Sequence, residues 1–356
     1  MSTLDTSAPG ARLVVQGIGM VCPVGLDVAA ASAAVRARMP RFNTLPFHDQ
    51  RNQPITGASV PEIVRTHQGY RRMVPLLVRA IGECITRRER AGEAVPRSVT
   101  LLLAIGGPAR PDHPLDMEER LMRELQERLG FPLSRSSRVF AQGPSGCLRA
   151  LEHAVQLLAR RECDGCIVAA ADSLVGSRAL SWLEQQDRLK TETNSDGVIP
   201  SEAAAALWVA RPGHSLHSLL DIQGLGFAEE PSAKQEDAPK LAEGLAQAIR
   251  HALVDARRTL RDVDFRVGSV TGEREAFMEA STAFARLMRE PRPTFPLWLP
   301  AEILGDVGAA LPACMLCITA FSMAHGYAPG RTALLFVSSP GPERTACVVA
   351  TPQKGA

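Results

Sequence analysis

The sequence predicts an α/β protein with a buried, mainly parallel sheet, built as two similar halves. Two observations carry this expectation. Apolar runs of strand length alternate with helical stretches along the chain, and the order of elements starts again around residue 214. Strands covered by helices on both faces read as continuous apolar runs rather than as alternating ones, and that is the texture here.

In order, the first half holds LVVQGIG (13–19), MVPLLVRAIGECI (73–85), VTLLLAIGG (99–107), CLRALEHAVQLLA (147–159) and CIVAAAD (166–172). The second half opens on LDIQGLGFAEE (220–230), which repeats the form of LVVQGIGMV (13–21), each a strand running into Gly-x-Gly. A long helix is expected from Pro239 to about Arg257, because Leu241, Leu245, Ile249 and Leu253 recur at four-residue spacing and proline is tolerated in a first turn. A strand near 265–270, an apolar helix at 309–324 and two C-terminal strands, TALLFVSS and TACVVATP, complete the second half. The repeat places a boundary near 210–218 and divides the chain into 1–212 and 213–356. The Gly-x-Gly at Gly17 and Gly19 is not a dinucleotide fingerprint, since Cys22 stands where a third glycine belongs. These glycines are read as serving a tight turn with positive φ.

Composition narrows the function. The chain has 356 residues, 40 Lys and Arg against 38 Asp and Glu, and a net charge of +2, without the basic excess of nucleic-acid binding. The cluster Arg87, Arg88, Arg90 is broken by Glu89 and reads as a solvated helix end. The first residues, MSTLDTSAPGARL, have no basic region followed by an apolar core, so no signal peptide is read and a cytoplasmic location is expected. The eight cysteines are then expected to be reduced. Both CxxC pairs, Cys163/Cys166 and Cys314/Cys317, sit in apolar stretches without nearby histidine, and are read as buried thiols rather than zinc or redox sites. Residues 307–324 carry no charge; a helix buried on all sides explains them better than a membrane span. His214 and His217 form an H-x-x-H pair in the linker between halves and are read as solvated loop residues. No cofactor or metal is expected.

Five segments resemble the β-ketoacyl synthases: VVQGIGMVCPVG (14–25), RMVPLLVRAIGECI (72–85), DGVIPSEAAAALWV (196–209), PKLAEGLAQAIRHALVDARRTLRDVDF (239–265) and GDVGAALPACMLCITAFSM (305–323). Each is weak alone, but they occur in the family's order over most of the chain. The resemblance implies a thiolase-like, five-layer αβαβα fold of two similar halves. It also implies a chemistry: a cysteine at a strand–helix turn, where the helix N-terminus favours thiolate, and two histidines that assist decarboxylation and stabilise the oxyanion.

In this register the condensing residues are missing. Counting back from GCLRALEHA and CIVAAADS puts the nucleophile slot at Pro144, with Gly143 or Ser145 in it if the register slips by one. The first histidine slot, counted from Asp264, holds Ser269, although Thr271 and Gly272 match the pattern. The second reads Gly305-Asp306, the family's lysine falls on Ala301, and SPGPER (339–344) replaces the glycine-rich loop near the C-terminus. Ser145 and Cys147 are the fallback nucleophiles; Ser145 has no sequence neighbour to activate it, and Cys147 is expected to face the core. Asp196 and Glu202 are read as architectural.

The expectation is therefore a catalytically inactive, protein-binding pseudoenzyme. The resemblance extends to chain-length-factor subunits that pair with an active ketosynthase, and to ketosynthase-like proteins encoded beside type VI secretion effector genes. Chain-length factors carry glutamine in the nucleophile slot, whereas Gln142 lies two residues early. Little sequence separates Gly107 from Val139 for capping and dimer loops, which favours the adaptor. The expected partner is a secretion-related protein, an acyl carrier protein or an active ketosynthase, with a homodimer or heterodimer formed through an edge strand at 138–142. The alternatives are acyl transfer or hydrolysis using Ser145 or Cys147 with Asp306, or a module that binds an acyl chain without turnover.

Overall fold

The computed structural model describes residues 10–61, 67, 69–213, 218–234 and 241–352. The first half contains β1 (Leu13–Val21), α1 (Val28–Arg36), the hairpin of β2 (Asn43–His48) and β3 (Pro54–Gly57), α2 (Tyr70–Arg90), β4 (Thr100–Ala104), α3 (Met117–Leu129), β5 (Arg138–Phe140), α4 (Gly146–Ala159), β6 (Gly165–Ser173), α5 (Ser177–Gln185) and β7 (Glu202–Ala210). The second contains β8 (Leu220–Glu229), α6 (Glu243–Asp255), β9 (Phe265–Gly268), α7 (Arg274–Leu287), β10 (Leu297–Trp298), α8 (Ala301–Leu304), α9 (Leu311–Ala324), β11 (Thr332–Ser338) and β12 (Glu343–Ala350).

The duplication is visible strand by strand. The first half-sheet runs β5-β4-β6-β7-β1 and the second β10-β9-β11-β12-β8, the same order in each half's own numbering. Pairing senses match as well: β4 is parallel to β5 and β6, as β9 is to β10 and β11, and the remaining pairs in each half are antiparallel. Residues 13–15 of β1 pair antiparallel with 220–222 of β8 and join the two half-sheets. The sheet is therefore mixed rather than mainly parallel. Apolar texture reports burial on both faces and carries no information on strand direction.

Side-chain alternation sets the layers. In β6, Cys166, Val168 and Ala170 face a core shared with α4 and α9, whereas Ile167, Ala169 and Ala171 face α2 and α3. In β11, Ala333, Leu335 and Val337 face that shared core, and Leu334 and Phe336 face α6 and α7. Five layers result: α2 with α3, the first half-sheet, α4 with α9, the second half-sheet, and α6 with α7. Helix α9 is buried at twelve of its fourteen residues, as a central helix must be. Among the described residues no helix is long and apolar enough to cross a membrane.

The Gly-x-Gly reading needs correction. Gly17, Gly19, Gly224 and Gly226 lie inside β1 and β8, and none has a positive φ. Their role is close approach. A Cβ on Gly19 would stand 2.0 Å from the Ala80 carbonyl oxygen of α2, and one on Gly226 would stand 2.0 Å from that of Ala248 in α6. The second helix also starts later than its pattern suggests. Ala242 takes a left-handed conformation with φ 53° and Leu241 is exposed, so α6 begins at Glu243; Pro239 lies outside the described residues.

Candidate functional site

The strand–helix turn expected to carry a nucleophile is present. Chain leaving β5 turns at Gly143, whose φ of 59° suits glycine, passes through Pro144 and Ser145, and enters α4 at Gly146. A side chain at Gly146 would stand 2.8 Å from the Phe140 carbonyl oxygen, so the helix starts close against the end of the strand. Pro144 offers no nucleophilic atom. Ser145 is buried, and its hydroxyl hydrogen-bonds the Ser339 hydroxyl from the β11–β12 turn rather than a base. Cys147 lies in the first turn of α4, fully buried, and burial pushes its thiol up to about 12, where no useful thiolate forms at neutral pH.

Ser269 and Asp306, the residues expected in the two histidine positions, bond locally. Ser269 accepts the Ser338 amide at 3.1 Å while its own amide donates to the Phe336 carbonyl at 3.1 Å, extending the β9–β11 ladder. Asp306 is buried; its carboxylate accepts the Gly308 amide at 2.9 Å and lies 3.8 Å from an Arg188 nitrogen. Arg188 in turn forks onto Glu273 at 2.7 and 2.9 Å. Burial raises the Asp306 carboxyl above its ordinary range, with Arg188 and the Gly308 amide opposing and Glu273 and Asp172 adding to the shift.

A second carboxylate completes the cluster. Asp172, at the end of β6, accepts Arg110 at 2.7 and 2.8 Å and the Ala309 amide at 2.9 Å. Arg110 also forks onto Asp112 at 3.0 and 2.6 Å. Burial disfavours the Arg110 charge, but Asp172 and Asp112 outweigh it and raise its pKa. Asp306 and Asp172 thus take consecutive amides of the 308–310 turn that leads into α9, the end of a helix array where an anion is otherwise attracted. Gly308 permits this arrangement, since a Cβ there would stand 2.2 Å from an Asp172 oxygen. The 143–145 and 308–310 turns pack together, so Pro144, Ser145 and the carboxylates share one end of the core.

The turn between β11 and β12 has its carbonyls engaged. Arg344, buried, donates to the carbonyls of Ser339, Gly341 and Glu343 at 3.1, 2.6 and 2.9 Å and pairs with Glu279. Glu202 accepts a fork from Arg72, and Asp196 accepts the Arg274 amide at the start of α7, so both acidic residues hold architecture. Ala301 is buried in α8. His214 and His217 lie outside the described residues; among the described ones, no histidine hydrogen-bonds Ser145, Cys147, Ser269 or Asp306, and no group of three His, Cys, Asp or Glu is placed to hold a metal ion. One cysteine departs from expectation. Cys163 is half-buried, whereas Cys166, Cys314 and Cys317 are buried.

No protein-family model matches the chain. In sequence, 240 residues are 26% identical to the polyketide synthase ThaG of Burkholderia thailandensis, covering 62% of this chain but 4% of that protein's length. In structure, the chain resembles a type II polyketide ketosynthase solved with its acyl carrier protein, AntDE with AntF, at a TM-score of 0.78 and 15% identity, over 96% of this chain and all of the other. It also resembles the ishigamide ketosynthase/chain length factor at 0.77 and 15%, over 97% and 100%. The ketosynthase ApeO in complex with its chain length factor ApeC, from Xenorhabdus doucetiae, matches at 0.75 and 14%, over 99% and 100%. The fold is the thiolase-like fold of the β-ketoacyl synthases.

Proposed function

We propose that this chain is a ketosynthase-like protein without condensing activity that acts by binding a protein partner. The observation that carries this reading is the state of the three slots. Pro144, Ser269 and Asp306 stand where cysteine and two histidines are needed, and Ser269 and Asp306 are committed to neighbouring backbone and to Arg188. Incubation with acyl and malonyl carrier-protein substrates is expected to release no carbon dioxide above a protein-free control. Turnover that disappears in Ser145→Ala or Cys147→Ala would overturn the reading.

The binding surface proposed is the edge of β5. This strand ends the sheet, its residues are exposed or half-buried, and it borders a groove of about 780 Å³ lined by Met122, Leu133, Val139 and Phe140 among others. An unpaired edge invites another strand, and a two-fold partner satisfies it without leaving a new edge. The solved relatives include ketosynthases with chain length factors, which supports a second ketosynthase-type chain as the partner over a secretion-related adaptor's client. Sedimentation at micromolar concentration is expected to give twice the chain mass, or a heterodimer when an active ketosynthase from the same host is co-expressed. A monomer under both conditions would count against this surface.

A further inference from the structure

We propose that Arg266 and Arg292 form a binding site for a phosphate group. Arg266 lies on β9 between Phe265 and Val267, which face the shared core, so its side chain points the other way, towards the outer layer of α6 and α7. The second half-sheet therefore separates this site from α9.

Both guanidinium groups stand on one aromatic ring. The Arg266 guanidinium carbon is 4.3 Å from the centre of the Phe295 ring and that of Arg292 is 4.2 Å from it, while Arg266 also lies 4.6 Å from the ring centre of Phe284 in α7. Backbone fixes them there. Arg266 Nη2 donates to the Phe295 carbonyl at 2.6 Å, and Arg292 Nη1 donates to the carbonyls of Leu260 and Val263 at 2.9 Å each. Carbonyls orient a guanidinium without neutralising it. Among the described residues, no carboxylate pairs with either arginine. The acids close by in sequence are engaged elsewhere: Glu290 with Arg261, Asp262 with Thr259, and Asp264 with the Arg331 and Thr332 amides. Burial, and then Arg292, disfavour the Arg266 charge, so two like charges are held together uncompensated. Among the described residues, Arg266 Nη1 and the Nε and Nη2 of Arg292 have no partner and are not buried, which leaves them open to a ligand.

Two unpaired positive charges match one dianion. A phosphate monoester carries about −1.5 to −2 charges at neutral pH and three strong acceptor oxygens, and guanidinium N–H groups bind such oxygens in pairs. A single carboxylate would leave one of the two charges uncompensated. Phe284 and Phe295 cover part of the Arg266 guanidinium, and the lower local dielectric strengthens its attraction for an anion. The phosphate can be free or carried on a phosphorylated side chain; the chemistry of recognition is the same.

The test titrates the full chain by calorimetry with inorganic phosphate, with acetate, and with a short glycine-flanked phosphoserine peptide and its unphosphorylated form, all at one ionic strength set with sodium chloride. Inorganic phosphate is expected to bind and acetate to bind at least tenfold more weakly, since hydrogen bonds to the second guanidinium are lost. Arg292→Gln is expected to weaken phosphate binding by on the order of tenfold, and Arg292→Lys by less. Arg292 lies in a loop, so its variants test the site even where Arg266→Gln disturbs the aromatic cluster around Phe284. Arg178→Gln, which alters an exposed arginine of α5 in the other half, is expected to bind phosphate as wild type does. A phosphopeptide that binds more tightly than inorganic phosphate assigns the site to a phosphorylated protein, and one that does not bind assigns it to the free anion. Equal binding of acetate and phosphate would overturn the proposal, as would unchanged phosphate binding in Arg292→Gln or equal binding of the two peptides.

Discussion

Gly226→Ala is expected to lower unfolding free energy by about 3 kcal/mol, at the upper end for an overpacked core. The added Cβ would meet the Ala248 carbonyl oxygen at 2.0 Å, the Ala252 nitrogen at 2.4 Å and the Ala252 Cβ at 3.0 Å. Two of those three atoms belong to helix backbone and cannot rotate aside, so α6 has to lift from β8. That movement would open the contacts of Leu245 and Ile249, both buried in the core shared by α6, α7 and the second half-sheet. Gly19→Ala should behave alike in the first half, because its Cβ would meet the Ala80 oxygen at 2.0 Å and the Cys84 nitrogen at 2.8 Å. Gly82→Ala is the control. Gly82 lies within α2, and a Cβ added there would have nothing within 4 Å, so alanine should stabilise by about 0.5–1 kcal/mol through helix propensity. Guanidinium denaturation of the three variants decides the matter; a loss below about 1 kcal/mol at Gly226 would mean that α6 adjusts without strain.

These glycines also show where the sequence was readable and where it was not. The repeated strand with Gly-x-Gly correctly announced two halves, because each half packs a helix across its first strand at the same two positions. It did not announce why glycine stands there, since a strand glycine under a helix and a turn glycine look the same in one dimension. Helix α9 was legible because no other environment suits an uncharged run that includes Pro312 and Thr319. The carboxylate cluster at the candidate site was legible only in part. Asp172 ends an apolar strand, a signal that a buried carboxylate needs a partner. Its partner Arg110 comes from a loop with no periodicity, as does Arg188, and loops reveal contacts only when folded. The CxxC pairs failed differently: Cys314/Cys317 lies on a central helix as expected, whereas Cys163 precedes its strand and meets solvent. Apolar neighbours in sequence reported the strand and missed the residue three positions before its partner.

Arg72→Met is expected to destabilise the protein by about 3–5 kcal/mol, the range for removing one partner of a buried ion pair. Glu202 is completely buried and Arg72 is 5% exposed. The guanidinium donates to both Glu202 oxygens at 2.7 and 2.6 Å, while the Val60 amide and the Ser173 hydroxyl donate to the same carboxylate at 2.8 Å each. One carboxylate therefore ties together α2, β6, β7 and the chain after β3. Without Arg72 the charge remains, desolvated, with two neutral donors that cannot balance it. Replacing both partners, as Arg72→Met with Glu202→Leu, should recover part of the loss, because the uncompensated charge goes too. Recovery should stay incomplete, since the Val60 amide and Ser173 hydroxyl lose their acceptor. Arg188→Ala provides the comparison: its pair with Glu273 is partly open to solvent, at 19% and 23% exposure, so its loss should cost less than that of Arg72. Thermal and chemical unfolding of the four proteins would reveal the order, and a double variant weaker than Arg72→Met alone would show that the ion pair contributes through contacts other than its charge.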